Sequence, residues 1–276
     1  MVKKNERALD PAFEKVGRVL SKGRVACLTG AGISCESGIP AFRGKGGLWE
    51  TYSPEVYGNT PGLVSLLHRD PGKFVNFIRE FYAVFLDARP NPAHLALSYL
   101  EKAGLVDTVI TQNIDDLHQQ SGVRSVIELH GNALRIRCQG CSETLKLEKD
   151  RVREMLKLFE RKKTSSQQLL RVMSRYCPRC PKCGARFRID IVLFGEMLPE
   201  DAMRRAYQAI DSCKTLLVVG SSLVMYPAAS LPQYAKDKGA TLVEINREPS
   251  AMSALCDHAI YGEAGKVLPE LVKLLA

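Results

Sequence analysis

Several features of other protein classes are missing from this sequence of 276 residues. No run approaches the roughly 18 apolar residues that a membrane-spanning helix needs. Its first ten residues are polar and charged and lack the apolar core of a secretory signal. There are also no internal repeats and no low-complexity tracts, which excludes repeat architectures. The sequence therefore predicts a soluble cytoplasmic protein with no membrane partner.

Cysteine is plentiful and unevenly placed. Of the nine cysteines, five fall within 46 residues: Cys138, Cys141, Cys177, Cys180 and Cys183. In a reducing compartment such a cluster favours a metal site over disulfides. The other four, Cys27, Cys35, Cys213 and Cys256, are scattered mostly among apolar neighbours, as is typical of small buried residues.

The positive charge is concentrated in the same part of the chain. Residues 135–190 hold 16 Lys and Arg against 6 Asp and Glu, so their net charge of +10 exceeds the +9 of the whole protein. Such a segment can bind nucleic acid. Because no aromatic residues interleave with the basic ones, a solvated basic face or a site that attracts acidic partners is an equal alternative.

Strand and helix patterns alternate on both sides of the cysteine-rich segment. Apolar runs predict strands at 24–29, 106–110, 125–129, 215–220 and 241–245, and helical spacing predicts helices at 11–21, 63–87, 93–102, 151–173, 227–238 and 265–275. Residues 44–62, rich in Gly and Pro, predict a loop. The pattern indicates an α/β fold, a Rossmann-like doubly wound parallel sheet with an inserted small zinc-ribbon and helical module. The Rossmann-like domain would comprise residues 1–133 and 191–276, and the zinc-binding module residues 134–190.

The first predicted strand runs into a Gly-x-Gly turn, Gly30-Ala31-Gly32. Such a turn brings backbone amides close to a pyrophosphate at the start of a helix. The dinucleotide fingerprint has a third glycine at its sixth position, where this chain has Cys35. On its own, the turn fits a phosphate site and a structural turn equally well.

Polar residues follow two other predicted strands directly. Gln112, Asn113 and Asp115 come after one strand, and His130 follows the strand that ends at Leu129. The carboxyl ends of parallel strands form the ligand-binding edge of an open sheet, so we expect these side chains to meet there. An imidazole with a reference pKa of about 6.5 can act there as a general base.

Six segments resemble the sirtuin family, in the family's order, and the resemblance covers residues 13–275. They are GAGISCESGIPAFR at 30–43, TQNIDDLH at 111–118, ELHG at 128–131, FGEMLP at 194–199, GSSL at 220–223 and INRE at 245–248. The resemblance implies an enzyme that removes acyl groups from protein lysines. It would consume NAD as co-substrate, yield nicotinamide and O-acyl-ADP-ribose, and bind one structural Zn²⁺.

The resemblance also implies roles for individual residues. His130 would be the catalytic base, with Asn113 beside it, and Phe42 would shield the reactive carbon from water. NAD would contact Gly30, Ala31, Gly32, Ser34, Cys35, Phe42, Arg43, Gln112, Asn113, Ile114, Asp115, His130, Gly220, Ser221, Ser222, Asn246 and Ala264. The acylated peptide would add as a strand between two segments that contribute Val192, Phe194, Gly195, Glu196, Leu223 and Val224.

Two Cys-x-x-Cys pairs predict the metal site. Cys138 and Cys141 form one pair, and four thiolates from two such pairs surround Zn²⁺ tetrahedrally in structural sites. The second pair is ambiguous from spacing, because Cys177 and Cys180 also fit. The resemblance favours Cys180 and Cys183, and Gly184 after the last ligand suits a tight turn.

Alternative functions use the same motifs. A protein mono-ADP-ribosyltransferase would use the NAD site with another nucleophile, and a non-catalytic NAD-sensing or nucleic-acid-binding zinc protein would use no base. Intact His130 and a complete peptide-binding segment favour deacylation. For the acyl group, Ile78 and Phe81 align with the Tyr and Arg of sirtuins that accept succinyl-lysine. This predicts activity on acetyl and longer neutral acyl groups and poor activity on succinyl groups.

Overall fold

The computed structural model describes residues 10–41, 46–159 and 165–276. Its strands are β1 (Val25–Thr29), β2 (Val106–Thr111), β3 (Val126–Glu128), β4 (Gly131–Cys138), β5 (Thr144–Lys146), β6 (Phe187–Ile191), β7 (Thr215–Val219), β8 (Thr241–Asn246) and β9 (His258–Tyr261). Its first seven α-helices are α1 (Pro11–Leu20), α2 (Leu48–Thr51), α3 (Pro54–Tyr57), α4 (Thr60–Arg69), α5 (Pro71–Asp87), α6 (Pro92–Lys102) and α7 (Leu117–Gln120). They are followed by α8 (Lys149–Phe159), α9 (Ser166–Tyr176), α10 (Glu200–Ser212), α11 (Leu231–Asp237) and α12 (Ala264–Leu275). Short 3₁₀ helices cover Ala31–Ser37, Ala228–Ser230 and Ser253–Leu255.

Six parallel strands form the central sheet in the order β3-β2-β1-β7-β8-β9. Connections run outward in both directions from β1 and β7, which is the doubly wound arrangement that the sequence predicts. Ligands bind in such sheets where the strand order reverses, outside the carboxyl ends of the strands. The functional side chains are therefore expected beyond Thr29 and Val219.

Both faces of the sheet are covered, so its strands are buried on both sides. Along β1, Val25 and Cys27 pack with α1, α6 and α12, whereas Ala26 and Leu28 pack with α10 and α11. This explains why β1 is apolar at successive positions rather than at alternate ones. Each fully buried side chain of Leu or Ile size contributes about 1.5–3 kcal/mol.

A second sheet carries the cysteine pairs. It is antiparallel, in the order β5-β4-β6, and β4 ends at Cys138. Helices α8 and α9 lie beside it and share one apolar core with α4 and α5. The inserted zinc and helical module is therefore confirmed, whereas the boundaries at 133/134 and 190/191 stay predictions.

Several predicted elements were wrong in detail. The loop predicted at 44–62 contains α2, α3 and the start of α4 in its described part, residues 46–62. Pro54 and Pro61 stand in the first turns of helices, where their missing N–H is not needed. The helix predicted at 63–87 is divided at Asp70, which ends α4 and caps α5 by accepting a hydrogen bond from the Lys73 N–H.

Two other helical regions also differ from the prediction. The helix predicted at 151–173 is represented by α8 and α9, separated by residues outside the described ranges. The helix predicted at 227–238 begins as a short 3₁₀ turn and becomes α-helical at Leu231. The sequence patterns also missed α10 and β9 entirely. No helix in the described ranges is long and apolar enough to cross a membrane.

Candidate active site

The turns that follow β1 and β7 touch each other backbone to backbone. The Gly32 N–H donates to the Gly220 carbonyl at 2.8 Å, and the Gly30 N–H donates to the Val219 carbonyl at 3.1 Å. A Cβ on Gly32 would lie 2.7 Å from the Gly220 Cα, and one on Gly220 would lie 2.3 Å from the Ile33 nitrogen. Only glycine fits these positions, so the Gly-x-Gly turn is matched by a glycine on the neighbouring strand.

A buried polar network lies beside this contact. The Asn113 amide donates to the Gly30 carbonyl at 3.1 Å and to Ser34 Oγ at 3.0 Å. Ser34 Oγ in turn donates to Asp115 Oδ2 at 2.7 Å, and Asp115 Oδ1 accepts the Leu117 N–H at 3.0 Å. Burial raises the pKa of Asp115, and its hydrogen bonds from Ser34 and Leu117 lower it in part. Three predicted NAD contacts, Ser34 from the turn after β1 and Asn113 and Asp115 from the segment after β2, therefore form one connected group.

A deeper layer of buried polar residues supports this network. His94 Nε2 lies 3.4 Å from Ser34 Oγ, and Thr29 Oγ1 lies 2.9 Å from His118 Nε2. The two imidazole rings pack with centroids 5.0 Å apart. Burial lowers the pKa of His94 to about 4, and burial together with the His94 ring holds the pKa of His118 well below its usual range. Both rings are therefore neutral near pH 7.

His130 follows β3 at the same edge of the sheet. Its Nδ1 lies 3.0 Å from the backbone carbonyl of Gln112. A carbonyl oxygen only accepts hydrogen bonds, so the proton of the neutral ring is on Nδ1 and the lone pair is on Nε2. Burial lowers the pKa of His130 below 6.5, and the bond to Gln112 raises it in part. The imidazole is thus held as a neutral ring with Nε2 available as a base.

The remaining predicted NAD contacts lie around this edge. The Gln112 amide donates to Ser221 Oγ at 2.8 Å, and the Asn246 amide donates to the Ser221 carbonyl at 3.0 Å. Cys35 lies in the turn after β1, where its thiol donates to the Ala31 carbonyl at 3.5 Å. Ala264 is buried at the start of α12. Phe42 and Arg43 lie outside the described residues.

Two cavities differ in size and position. A small cavity of about 10 Å³ is lined by Ala31, Ser34, Ile39, Phe85, Asn113, Ile114 and Asp115. Five of these were predicted as NAD contacts, and Ile39 and Phe85 were missed because an apolar residue carries no signal of its own. A larger cavity of about 340 Å³ lies away from the network, between α7, α8 and the end of α5. The convergent polar groups Ser34, Asn113 and Asp115 line the small cavity, which makes its surroundings the candidate site.

The predicted peptide segment is firmly anchored. Arg188 binds both carboxylate oxygens of Glu196 at 2.8 Å, and the Phe194 N–H donates to the Gly58 carbonyl at 2.8 Å. The Val192 N–H donates to the His130 carbonyl at 3.0 Å, which connects this segment to the histidine. In the second segment Leu223 is buried, whereas Val224 is exposed.

Four cysteines come together at the end of the module. The sulfur atoms of Cys138, Cys141, Cys180 and Cys183 lie within 4.8 Å of one another. The Sγ–Sγ distance is 3.4 Å between Cys138 and Cys183 and 3.6 Å between Cys141 and Cys180. Tetrahedral Zn²⁺ with Zn–S bonds of about 2.3 Å requires about 3.8 Å between sulfurs, so the set fits one structural zinc ion.

Cys177, the competing ligand, is not part of this set. It ends α9, its side chain is half-buried against the helices of the module, and burial raises its pKa to about 11. Among the described residues the structure therefore supports Cys180 and Cys183 as the second pair.

Known proteins share this arrangement along almost the whole chain. The Sir2 family model matches residues 30–227. The NAD-dependent protein deacylase of Pyrococcus furiosus is 45% identical over 260 residues, which cover 94% of this chain and 96% of the relative. NAD-dependent protein deacylase 2 of Pyrobaculum aerophilum is 44% identical over 245 residues, covering 89% of this chain and 88% of the relative.

Solved structures agree with the sequence relatives. A Sir2 homologue in complex with NAD superposes with a TM-score of 0.76 at 36% identity, covering 97% of this chain and 94% of the other. A Sir2 protein with a deacetylated p53 peptide and 3′-O-acetyl-ADP-ribose gives 0.74 at 34% identity, covering 95% and 97%. With the matching family model, the relatives and the fold in agreement, the chain belongs to the Sir2 family.

Proposed function

We propose that this Sir2 protein removes acyl groups from protein lysines with NAD as co-substrate. The products are nicotinamide, the free lysine and O-acyl-ADP-ribose. One observation carries the proposal, namely that His130 is held as a neutral base next to the Asn113–Ser34–Asp115 network. An NAD-sensing protein without catalysis would have no use for a base oriented in this way.

The chemistry divides into two steps. In the first, the acyl carbonyl oxygen bonds to the anomeric carbon of the nicotinamide ribose as the bond to nicotinamide breaks. In the second, His130 Nε2 takes the proton of a ribose hydroxyl, whose oxygen then attacks the acyl carbon. The lysine nitrogen takes up a proton and leaves as the amine. A water molecule then adds to the acyl carbon, whose bond to the oxygen on the anomeric carbon breaks, so that the anomeric hydroxyl is restored and the acyl group stays on the attacking ribose oxygen of ADP-ribose. The lowered pKa of His130 suits this role, because the ring must be neutral to accept the proton.

NAD binding is assigned to the edge formed by β1, β2, β7 and β8. Gly30, Gly32 and Gly220 bring backbone close to the phosphates, whereas Asn113 and Asp115 contact the nicotinamide end. Ser221 and Ser222 are assigned to phosphate or ribose, Asn246 to the adenosine ribose and Ala264 to the adenine. Phe42 and Arg43 keep their assignment as sequence-based predictions.

The acylated peptide is assigned to the groove between the Val192–Glu196 and Leu223–Val224 segments. Backbone pairing of an added strand gives affinity with little demand on peptide sequence. The related complex with a p53 peptide supports a peptide substrate. Nucleic-acid binding by the basic module and a cytoplasmic location stay sequence-based predictions.

The acyl pocket is proposed to prefer neutral groups. On α5, Phe81 packs against the rings of Phe77 and Phe85, at centroid distances of 5.9 and 4.9 Å. The Glu80 carboxylate accepts a hydrogen bond from the Tyr52 hydroxyl on the same surface. An apolar wall stabilises each buried methylene group of an acyl chain by about 0.8 kcal/mol. A neighbouring carboxylate repels the negative charge of a succinyl group, and burying that charge without a cationic partner is costly.

The direct test combines an acetyl-lysine peptide with NAD and the protein, followed by mass spectrometry. We expect the peptide to lose about 42 Da, the mass change when hydrogen replaces one acetyl group. Nicotinamide and O-acetyl-ADP-ribose should form in equimolar amounts. Free acetate with intact NAD would contradict the proposal. Addition of ADP-ribose to protein without loss of acetyl groups would instead indicate the transferase alternative.

A further inference from the structure

A carboxyl side chain lies inside the sheet, where the catalytic steps do not use it. Glu244 stands in β8 between Val243 and Ile245, and its side chain is fully buried. Over the described part of the chain, no Lys or Arg comes within ion-pair distance of it. Burying a carboxyl group costs free energy unless hydrogen-bond donors contact its oxygen atoms. The donors that contact Glu244 therefore indicate what this residue does in the protein.

Both partners belong to the turn that follows β8. The Ser250 N–H donates to Glu244 Oε1 at 3.1 Å, and the Ser253 hydroxyl donates to Oε2 at 2.5 Å. The Ser250 N–H also lies 2.7 Å from Ser253 Oγ, so the carboxyl group closes the turn at two points. Glu244 thus fixes residues 250–253 against the end of the strand.

That turn reaches the adenosine side of the proposed NAD site. The Ala251 N–H donates to the Ser222 carbonyl at 3.1 Å, and the Asn246 amide donates to the Ser221 carbonyl at 3.0 Å. The loop after β7 is therefore held from β8 by two hydrogen bonds, one of which depends on the turn. His130 and Asn113 follow β3 and β2, on the far side of β1 and β7 from Glu244.

We infer that Glu244 is a positioning residue for NAD, acting through Ser250, Ser253 and Ala251 on the Ser221–Ser222 loop. The inference rests on the proposed function. A binding loop held in its bound geometry binds more tightly, because no ordering cost remains to be met on association. Since Glu244 lies on the far side of β1 and β7 from His130, loss of the clamp weakens NAD binding more than it changes the chemical step.

The experiment compares Glu244→Leu, Glu244→Gln and Ser253→Ala with the exposed control Glu270→Gln, whose residue pairs with Lys273 on α12. Steady-state assays give KM for NAD, KM for an acetyl peptide and kcat, calorimetry gives Kd for NAD, and thermal unfolding gives Tm. Glu244→Leu is expected to raise KM and Kd for NAD about tenfold, the ratio that corresponds to one hydrogen bond to a charged group. The value of kcat stays within about twofold of wild type. The peptide KM rises by less than the KM for NAD, because Leu223 and Val224 of the proposed peptide groove directly follow the clamped loop.

The other variants separate positioning from general stability. Glu244→Gln keeps an acceptor for the Ser250 N–H and recovers most of the NAD affinity, whereas Ser253→Ala raises Kd for NAD about threefold, a fraction of one hydrogen bond. Combined with Glu244→Leu, Ser253→Ala adds nothing further, because both remove the same clamp. If Glu244→Leu does not fold, the Gln and Ala variants decide the question in the same way.

A fall in Tm with unchanged Kd for NAD would show that Glu244 is only structural. A matching loss in kcat or a matching rise in peptide KM would equally overturn the inference. Calorimetry keeps this result separate from the proposed function, because NAD binding is measured without turnover. Wild-type protein that binds NAD but does not deacylate would contradict the proposed function alone.

Discussion

Replacing His130 tests the base directly. In His130→Ala the hydrogen bond from Nδ1 to the Gln112 carbonyl and the free Nε2 are both lost. Loss of a general base lowers the rate by at least about 100-fold, equivalent to about 2.7 kcal/mol in the barrier. The Asn113–Ser34–Asp115 network does not depend on the imidazole, so NAD binding largely survives.

The pH dependence of wild-type activity follows from the environment of His130. Burial lowers the pKa of the ring from 6.5, so at any given pH more of it is neutral than of a free histidine. Activity that needs the neutral ring rises with pH through this lowered pKa and is complete above it. The acid limb of kcat/KM therefore lies below pH 6.5, and the remaining activity of His130→Ala has no limb there.

His68 provides the matched control, because it is an exposed histidine on α4. His68→Ala should retain wild-type turnover and the wild-type pH profile. Turnover is measured as nicotinamide release with an acetyl peptide between about pH 5 and pH 8, a range that spans the reference pKa of histidine. Calorimetry gives the Kd for NAD. Turnover of His130→Ala within about threefold of wild type would refute the role of His130, and an acid limb above pH 6.5 would refute the argument from burial.

Three further predictions concern the metal, the backbone contact and the acyl group. The protein should bind about one zinc ion per chain. Cys180→Ala should lose the zinc and show a lower Tm, whereas Cys177→Ala should keep its zinc. The reverse result would make the ligand assignment wrong. Gly220→Ala should lower the free energy of unfolding, measured by denaturant titration, by about 3 kcal/mol. The control Gly17→Ala should not, because its added Cβ meets only ordinary van der Waals contacts. Equal effects of the two substitutions would contradict the close contact between Gly220 and the Gly32–Ile33 backbone. On one peptide, kcat/KM should be substantial for acetyl, butyryl and myristoyl groups and poor for succinyl, and a succinyl value equal to acetyl would show that the acyl pocket is misassigned.

The parallel sheet was predictable because several of its strands are short, continuous apolar runs, which are typical of strands buried on both faces. The alternation also predicts which ends of the strands carry function, so Asn113 and His130 could be placed before any coordinates. The helices α2 and α3 could not be predicted in this way. They have four residues each, too short to show a helical period, and their Gly and Pro neighbours are typical of loops.

Most of the site residues that the sequence did not predict were missed because nothing in the sequence distinguishes them from core residues. Ile39 and Phe85 line the small cavity with apolar side chains, which are indistinguishable from core residues without coordinates. His94 lies on the buried face of α6 and belongs to none of the segments that resemble the family, so no sequence pattern indicated its place beside Ser34. Glu244 did offer a signal, because a lone carboxyl residue within Leu-Val-Glu-Ile of a buried strand must find donors nearby.

The contact between the turns after β1 and β7 explains why the glycine fingerprint was ambiguous. A dinucleotide fingerprint places its third glycine for close packing of the helix against its strand, and this chain has Cys35 there. In the structure the close approach is instead between Gly32 and Gly220, which are 188 positions apart and lie in the turns after the adjacent strands β1 and β7. Gly220 adopts φ +62° and leaves no space for a Cβ. The close packing thus requires glycine in both turns at once, and a motif found in a single segment of the sequence cannot reveal it.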